Sequence, residues 1–322
     1  MNLTTSLLSP MVLAFLLGII ATRLKSDLKF PESLHQSLTI YLMIAIGMKG
    51  GYKLSTVNFS EMIVPLVAAV LLSCCIPVWT YWIMRKSGKF DVYNAGALAA
   101  HYGSVSVATF SAAIAFHESS RIEYEGFMPG LLAIMEIPGI LIAIALVRLY
   151  APNRQDTKPA SIDQIARELL AGKSTLLLIG FLIIGWLVGQ TGWEQVAPLL
   201  DVPFKGLLTL FLLEAGLAAG KRLSDFKKGG WMLTFFGIVF PVLHAIAGIV
   251  IGHIAGLSVG GSTILGILAA SASYIAAPAA CRVALPEANP SYYLTAALAI
   301  TFPFNIIIGI PLYRQLALYL CG

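Results

Sequence analysis

Two interrupted apolar segments, one in each half of the chain, constrain the fold more than any other feature of the sequence. Gly96-Ala-Leu-Ala-Ala-His101-Tyr-Gly103-Ser104-Val-Ser106 lines up with Gly266-Ile-Leu-Ala-Ala-Ser271-Ala-Ser273-Tyr274-Ile-Ala276 at an offset of 170 residues. Residues 48–55 (MKGGYKLS) match 217–224 (LAAGKRLS), and Glu136 falls opposite Asn305, both at an offset of 169. A chain written twice, with a Gly/Ser break inside an apolar segment of each copy, is the pattern of a secondary transporter built from structural repeats.

The chain cannot cover itself with polar surface. Only 11% of its 322 residues are charged and 58% are hydrophobic, against about 25% charged in a soluble domain. The apolar character is spread over the whole length, so an integral membrane protein is expected rather than a soluble domain with one anchor. No cleavable signal peptide is expected, because residues 1–10 lack a basic region and no small-residue cleavage site follows the first apolar run. The four cysteines show no metal-ligand spacing, and Cys74-Cys75 reads as small-residue packing. Nothing points to nucleic acid.

A membrane span needs about 20 apolar residues, fewer where it is broken or buried among other helices. Ten are expected, at 9–22, 38–47, 62–84, 95–116, 127–149, 175–189, 206–220, 232–255, 262–285 and 292–313. The second and seventh are short, and the fourth and ninth carry the breaks. The organisation is then a first repeat over 1–150, a polar linker over 151–172 and a second repeat over 173–322. Within the linker, residues 162–170 suit a short amphipathic helix. Five spans per half is an odd number, which inverts the second half relative to the first. The fold class expected is therefore all-α, ten membrane helices arranged as two inverted five-helix repeats.

Lys and Arg give the direction. Sixteen of the 21 fall on one side, leaving Lys49, Lys53, Arg121, Lys205 and Arg314 on the other. The rich side is expected to be cytoplasmic, with both termini outside.

A helix broken within hydrocarbon frees backbone donors and acceptors that must be satisfied internally, and its half-helix N-termini carry partial positive charge. Inverted symmetry would bring the two breaks together near the midplane. Packing through small residues explains one such break; two at matching positions favour a small-anion site made by Gly103, Ser104, Ser106, Thr109, Ser271 and Ser273. Charged groups inside spans cost about 2.5–3.5 kcal/mol on insertion scales. Glu136, next to Pro138, and its mate Asn305, close to Thr301 and Pro303, supply the oxygens of a Na⁺ cage, with Tyr274 in the second break beside it. A proton site at Glu136 and a merely structural hydrogen bond remain alternatives. Glu214 lines the pathway, meets another subunit or makes a packing hydrogen bond. His244 is expected to donate to a backbone carbonyl, and the tryptophans at 79, 82, 186, 193 and 231 fit an interfacial belt.

The breaks, together with Ala-Leu-Pro286-Glu-Ala-Asn289-Pro290-Ser291 and Gly309-Ile-Pro311-Leu-Tyr313, resemble the sodium-dependent bicarbonate transporter family over nearly the whole chain. The chain is divergent from cyanobacterial members: Val107-Ala108-Thr109 stands where they have a Gly-Ser-Thr run, and Tyr274 where they have an acid. The resemblance implies import of bicarbonate or a similar small anion coupled to Na⁺, with no other cofactor and no enzymatic activity. It also implies a core moving against a scaffold of the first, second, sixth and seventh spans, and a homotrimer in the bacterial inner membrane among its lipids. A PII-like regulator on the cytoplasmic side is implied as well. The competing readings are a proton-coupled carrier of another small carboxylate and, from a different class, a membrane sensor or intramembrane enzyme. For the last, the only adjacent acid–base pair is His117-Glu118.

Overall fold

The computed structural model describes residues 8–151, 161–223 and 226–322, and every regular element among them is a helix. The helices are α1 (Pro10–Arg23), α2 (Glu32–Leu54), α3 (Phe59–Lys86), α4 (Val92–Gly103), α5 (Val107–Ser119), α6 (Met128–Met135), α7 (Pro138–Tyr150), α8 (Ile162–Leu170), α9 (Lys173–Leu200), α10 (Phe204–Arg222), α11 (Phe226–Ile254), α12 (Val259–Ala270), α13 (Ala276–Ala284) and α14 (Pro290–Cys321). Six helical segments in the described residues are long and apolar enough to cross a membrane, and α1 and α12 are shorter apolar helices. The protein is a multi-pass membrane protein.

Local chemistry sets the interruptions. α4 ends at Gly103 and α5 restarts behind Ser106, whose hydroxyl caps the new helix. α6 and α7 are parted at Glu136-Ile137, just before Pro138, which lacks the N–H that would continue the ladder. α14 loosens into π-helical turns at Thr295–Thr301 and Asn305–Gly309 on either side of Pro303. Gly189 (φ 58°) and Gly230 (φ 69°) kink α9 and α11 with backbone angles open to glycine. The amphipathic α8 covers residues 162–170, with Ile165 and Leu169 turned inward. Residues 152–160 of the linker lie outside the described residues.

Three expectations are corrected. The helix over the second apolar run is not short: α2 has 23 residues, because polar side chains beyond that run are paired within the fold. His35 Nδ1 meets Glu214 at 2.7 Å, and Lys49 meets both Glu118 and Asp201 at 2.7 Å. Glu214 thus makes a packing hydrogen bond, one of the three roles expected of it. α10, with 19 residues, is likewise longer than its apolar run. Trp79 and Trp193 are not belt residues. Trp79 Nε1 donates to His244 Nε2 at 2.8 Å, so His244 accepts from an indole instead of donating to a carbonyl. Trp193 is buried and stacked on Tyr52.

The helices sort into two groups. In one, α1 packs along α10 and α2 along α9; in the other, α3 packs on α4 and α7, and α11 on α12 and α14. The paired helices approach until glycines meet backbone. A Cβ on Gly51 would overlap the Leu182 carbonyl and one on Gly185 that of Met48; likewise Gly18 faces Leu213 and Gly216 faces Phe15. Close backbone approach through small residues is how membrane helices gain packing without a hydrophobic driving force. Gly51→Ala is therefore expected to lower the thermal midpoint of the detergent-solubilised protein, at a cost of about 1–3 kcal/mol. Gly180→Ala, on the same helix as Gly185 but with open space around it, should leave the midpoint unchanged or slightly raised.

Candidate functional site

The two breaks meet. Ser273 N donates to the His101 carbonyl at 2.8 Å and Ser106 N to Ser271 Oγ at 3.0 Å, so each interrupted segment satisfies backbone groups of the other. Local capping supplies the rest. Ser106 Oγ accepts from Thr109 N at 3.2 Å, Ser273 Oγ accepts from Ala277 N at 3.2 Å, and Ser271 Oγ donates to the Leu268 carbonyl at 2.8 Å. Ser104, Ser106, Thr109, Ser271 and Ser273 are all buried.

Not every polar atom at the crossing finds a partner. Thr109 Oγ1, Tyr274 OH and His101 Nε2 are buried without a protein hydrogen bond. Such orphans are rare in native interiors and call for an explanation. Between the breaks lies a cavity of about 10 Å³, bordered by Ser106, Ser273, Tyr274 and Glu136, with Met43 of α2 closing one side. That is room for one water.

Glu136 occupies the bend between α6 and α7. Its backbone carbonyl accepts from Ser104 Oγ at 2.7 Å, which fastens the bend to the first break. One carboxylate oxygen accepts from Ser174 Oγ at 2.9 Å and the other from Thr175 Oγ1 at 3.2 Å. Both hydroxyls stand in the first turn of α9, where the helix end itself favours negative charge. No Lys, Arg or His is shown paired with this carboxylate in the described residues, so the charge rests on neutral donors alone. Behind it Ser73 Oγ lies 3.0 Å from both the Gly103 and Met135 carbonyls and accepts from Gly139 N at 3.1 Å, stapling α3, the first break and the bend together.

The residues grouped as one cation cage fall in two places. Glu136 and Tyr274 border the small cavity. Asn305 instead donates from Nδ2 to the Ala270 carbonyl at 2.9 Å and accepts from Tyr313 OH at 2.8 Å, bracing the end of α12 just before the second break. Thr301 Oγ1 donates to the Gly237 carbonyl at 2.8 Å and lies 2.6 Å from Tyr102 OH. Asn305 and Thr301 thus hold the breaks in position, and their polar atoms are engaged in doing so. Sequence reasoning passed over Ser174, Thr175 and Ser73; a Ser-Thr pair at the start of an apolar helix was the available signal for the first two. The His117-Glu118 pair does not act together: His117 Nδ1 bonds the Ala113 carbonyl at 2.8 Å, and Glu118 pairs with Lys49.

A second cluster sits at one end of the bundle. Lys49 of α2 joins Glu118, at the end of α5, to Asp201, in the turn between α9 and α10. Lys205 Nζ reaches Ser119 Oγ at 3.2 Å, Lys53 lies over the Tyr124 ring, and Arg121 and Arg314 line one cavity. The five cations that the sequence separates from the other sixteen are thereby gathered around residues 118–126.

The Ser174–Glu136–Thr175 arrangement makes a prediction. Removing both hydroxyls (Ser174→Ala with Thr175→Val) strands a buried carboxylate and is expected to cost about 2–4 kcal/mol, read as a lower thermal midpoint. With Glu136→Leu already present, the same two changes should add little. Equal losses in both backgrounds would deny the carboxylate its part.

Comparison with protein families gives one match: the sequence profile of the Na⁺-dependent bicarbonate transporter superfamily covers residues 10–318. No curated protein matches.

Proposed function

Because the chain belongs to the Na⁺-dependent bicarbonate transporter superfamily, we propose that it carries bicarbonate or a similar small anion across the membrane together with Na⁺, by alternating access. It is a transporter and not an enzyme. The observation that carries the reading is the crossing of the breaks. Two interrupted helices satisfy one another's backbone while leaving the hydroxyls of Thr109 and Tyr274 without partners. Hydroxyls and half-helix ends in a dry setting suit a small oxyanion, whose oxygens accept several hydrogen bonds at once.

The fold behind this proposal is ten spans in two inverted repeats. The packing supports it, because exchanging the halves maps the main helix contacts onto one another. The α1–α10 pair corresponds to α9–α2, α3–α4 to α11–α12, α4–α7 to α12–α14, and α2–α6 to α10–α14. The glycines at the pair contacts follow the same rule: Gly47 and Gly51 correspond to Gly216 and Gly220 at the 169-residue offset. The scaffold is then α1, α2, α9 and α10, and the remaining spans form the moving core. Placement in a bacterial inner membrane with both termini outside, a homotrimer and a PII-like cytoplasmic regulator complete the proposal.

Within it Glu136 is the coupling residue. Its carboxylate belongs to the core but takes both its hydrogen bonds from the scaffold helix α9. Na⁺ beside that carboxylate would change the contact between the two moving parts. A proton would do the same, and the purely neutral donors around Glu136 keep a proton-coupled carboxylate carrier as the second reading.

Proteoliposomes are expected to accumulate labelled bicarbonate only under an inward Na⁺ gradient; uptake indifferent to Na⁺ would sink the coupling. Glu136→Gln separates the readings. It should raise the Na⁺ concentration for half-maximal uptake by about tenfold if the carboxylate binds the cation, a loss of about 1.4 kcal/mol. If the carboxylate carries a proton, it should abolish pH dependence instead.

A further inference from the structure

The most spacious of the cavities described lies outside the crossing. It measures about 550 Å³ and opens at the end of the bundle where the five cations gather, between the end of α5, the start of α12 and the last turns of α14. Arg121 and Arg314 both line it, and neither is paired with an acid among the described residues. Arg314 is half-buried, and its Nη1 is shut off from water with no hydrogen-bond partner. A guanidinium offers five donors in a fixed fork and cannot escape its charge by losing a proton. One left unpaired in partly dry surroundings is costly unless an anion meets it. The acids nearby do not. Glu125 lies outside the lining, one of its carboxylate oxygens accepting from Ser258 N at 2.5 Å and the other buried without a partner. Glu123 is the only acid in the lining, against two arginines.

The cavity also borders a second one. Phe116 and Pro311 are shared with a narrow apolar cavity of about 50 Å³ between α1 and α10 on one side and α5 and α14 on the other. That seam reaches Ala112, one helical turn from Thr109, and Ile306, next to Asn305. On the opposite flank of α5 the Lys49 clasp to Glu118 and Asp201 ties the helices together.

We propose that Arg121 and Arg314 form an outer oxyanion site, distinct from the crossing of the breaks, that captures the small anion before it enters the seam between core and scaffold. This rests on the transport reading for its role, although not for its chemistry. An oxyanion of the size of bicarbonate fits the cavity with room for water, and two guanidinium forks supply more donors than its oxygens require.

The test is made in proteoliposomes of zwitterionic phosphatidylcholine. The double variant Arg121→Gln/Arg314→Gln should raise the KM for bicarbonate about tenfold, the expected loss of one or two charge-assisted hydrogen bonds. The rate at saturation should change far less. Arg314→Lys, which keeps the charge, should lie between the two. An unchanged KM, or a fall in rate alone, overturns the site. A second measurement reads binding without transport: bicarbonate should raise the thermal midpoint of Ser106→Ala protein, and the added double substitution should remove that rise. Absence of any rise also overturns the site. If the wild-type protein takes up no bicarbonate yet the midpoint responds as expected, the transport reading fails while the site stands. An effect of the arginine substitutions seen only when about a third of the lipid is phosphatidylglycerol would assign the cavity to a lipid headgroup and overturn the proposal.

Discussion

Everything in this structure follows from the demand that backbone polar groups be satisfied where water is absent. Two helices are interrupted in the interior, and each interruption would strand N–H and C=O groups at several kcal/mol apiece. The chain answers by setting the interruptions against each other. Ser273 N–H goes to the His101 carbonyl, and Ser106 N–H to Ser271 Oγ. Neither break is tolerable without the other, so the crossing fixes the relative positions of α4, α5, α12 and α13 more tightly than side-chain packing alone would. The braces then make sense as a second layer. Ser73 holds the first break to the bend, and Asn305 holds the carbonyl that precedes the second.

The two helix groups differ in how they cohere. The α1–α10 and α2–α9 pairs are zipped through glycines that bring backbone onto backbone, a contact with little freedom to slide. These pairs meet the rest through side-chain packing, as at Phe15 against Phe302 and Gly50 against Pro129, and through a few polar ties: Lys49 to Glu118, and Ser174 and Thr175 to Glu136. Close-packed interiors are bistable rather than continuously deformable. Two tightly knit groups joined by looser side-chain contacts and a few discrete bonds are compatible with the alternating access proposed above.

Much of this was legible in the sequence, and the reason is physical. Gly and Ser inside an apolar run, and a carboxylate beside a proline, violate the local rules of a membrane helix, so they stand out and they mark the crossing. α8 could be read from its periodicity alone. What could not be read are partners distant in sequence. Ser174 and Thr175 look like ordinary first-turn residues until Glu136 is placed against them. The length of α2 was hidden because hydropathy discards His35, Lys49 and Lys53, whereas the folded chain keeps them in the helix by pairing His35 and Lys49 with acids and laying Lys53 over the Tyr124 ring. Trp79 was assigned to the surface by residue type, and only tertiary structure supplies the imidazole of His244 that draws its indole inward.

Matching positions in the sequence need not make matching sites. Glu136 and Asn305 occupy equivalent positions, beside prolines that loosen their helices. Asn305 can both donate and accept, so it closes its hydrogen bonds within its own group, to Ala270 and Tyr313. An ionised carboxylate only accepts. Glu136 must therefore reach outward for donors, and finds them on α9, across the boundary between the two groups. Changing one amide to one acid turns an internal brace into a tie between parts, whose strength depends on the charge it carries. This single chemical difference between two matched sequence positions gives Glu136 a charge-sensitive link across the groups that Asn305 lacks.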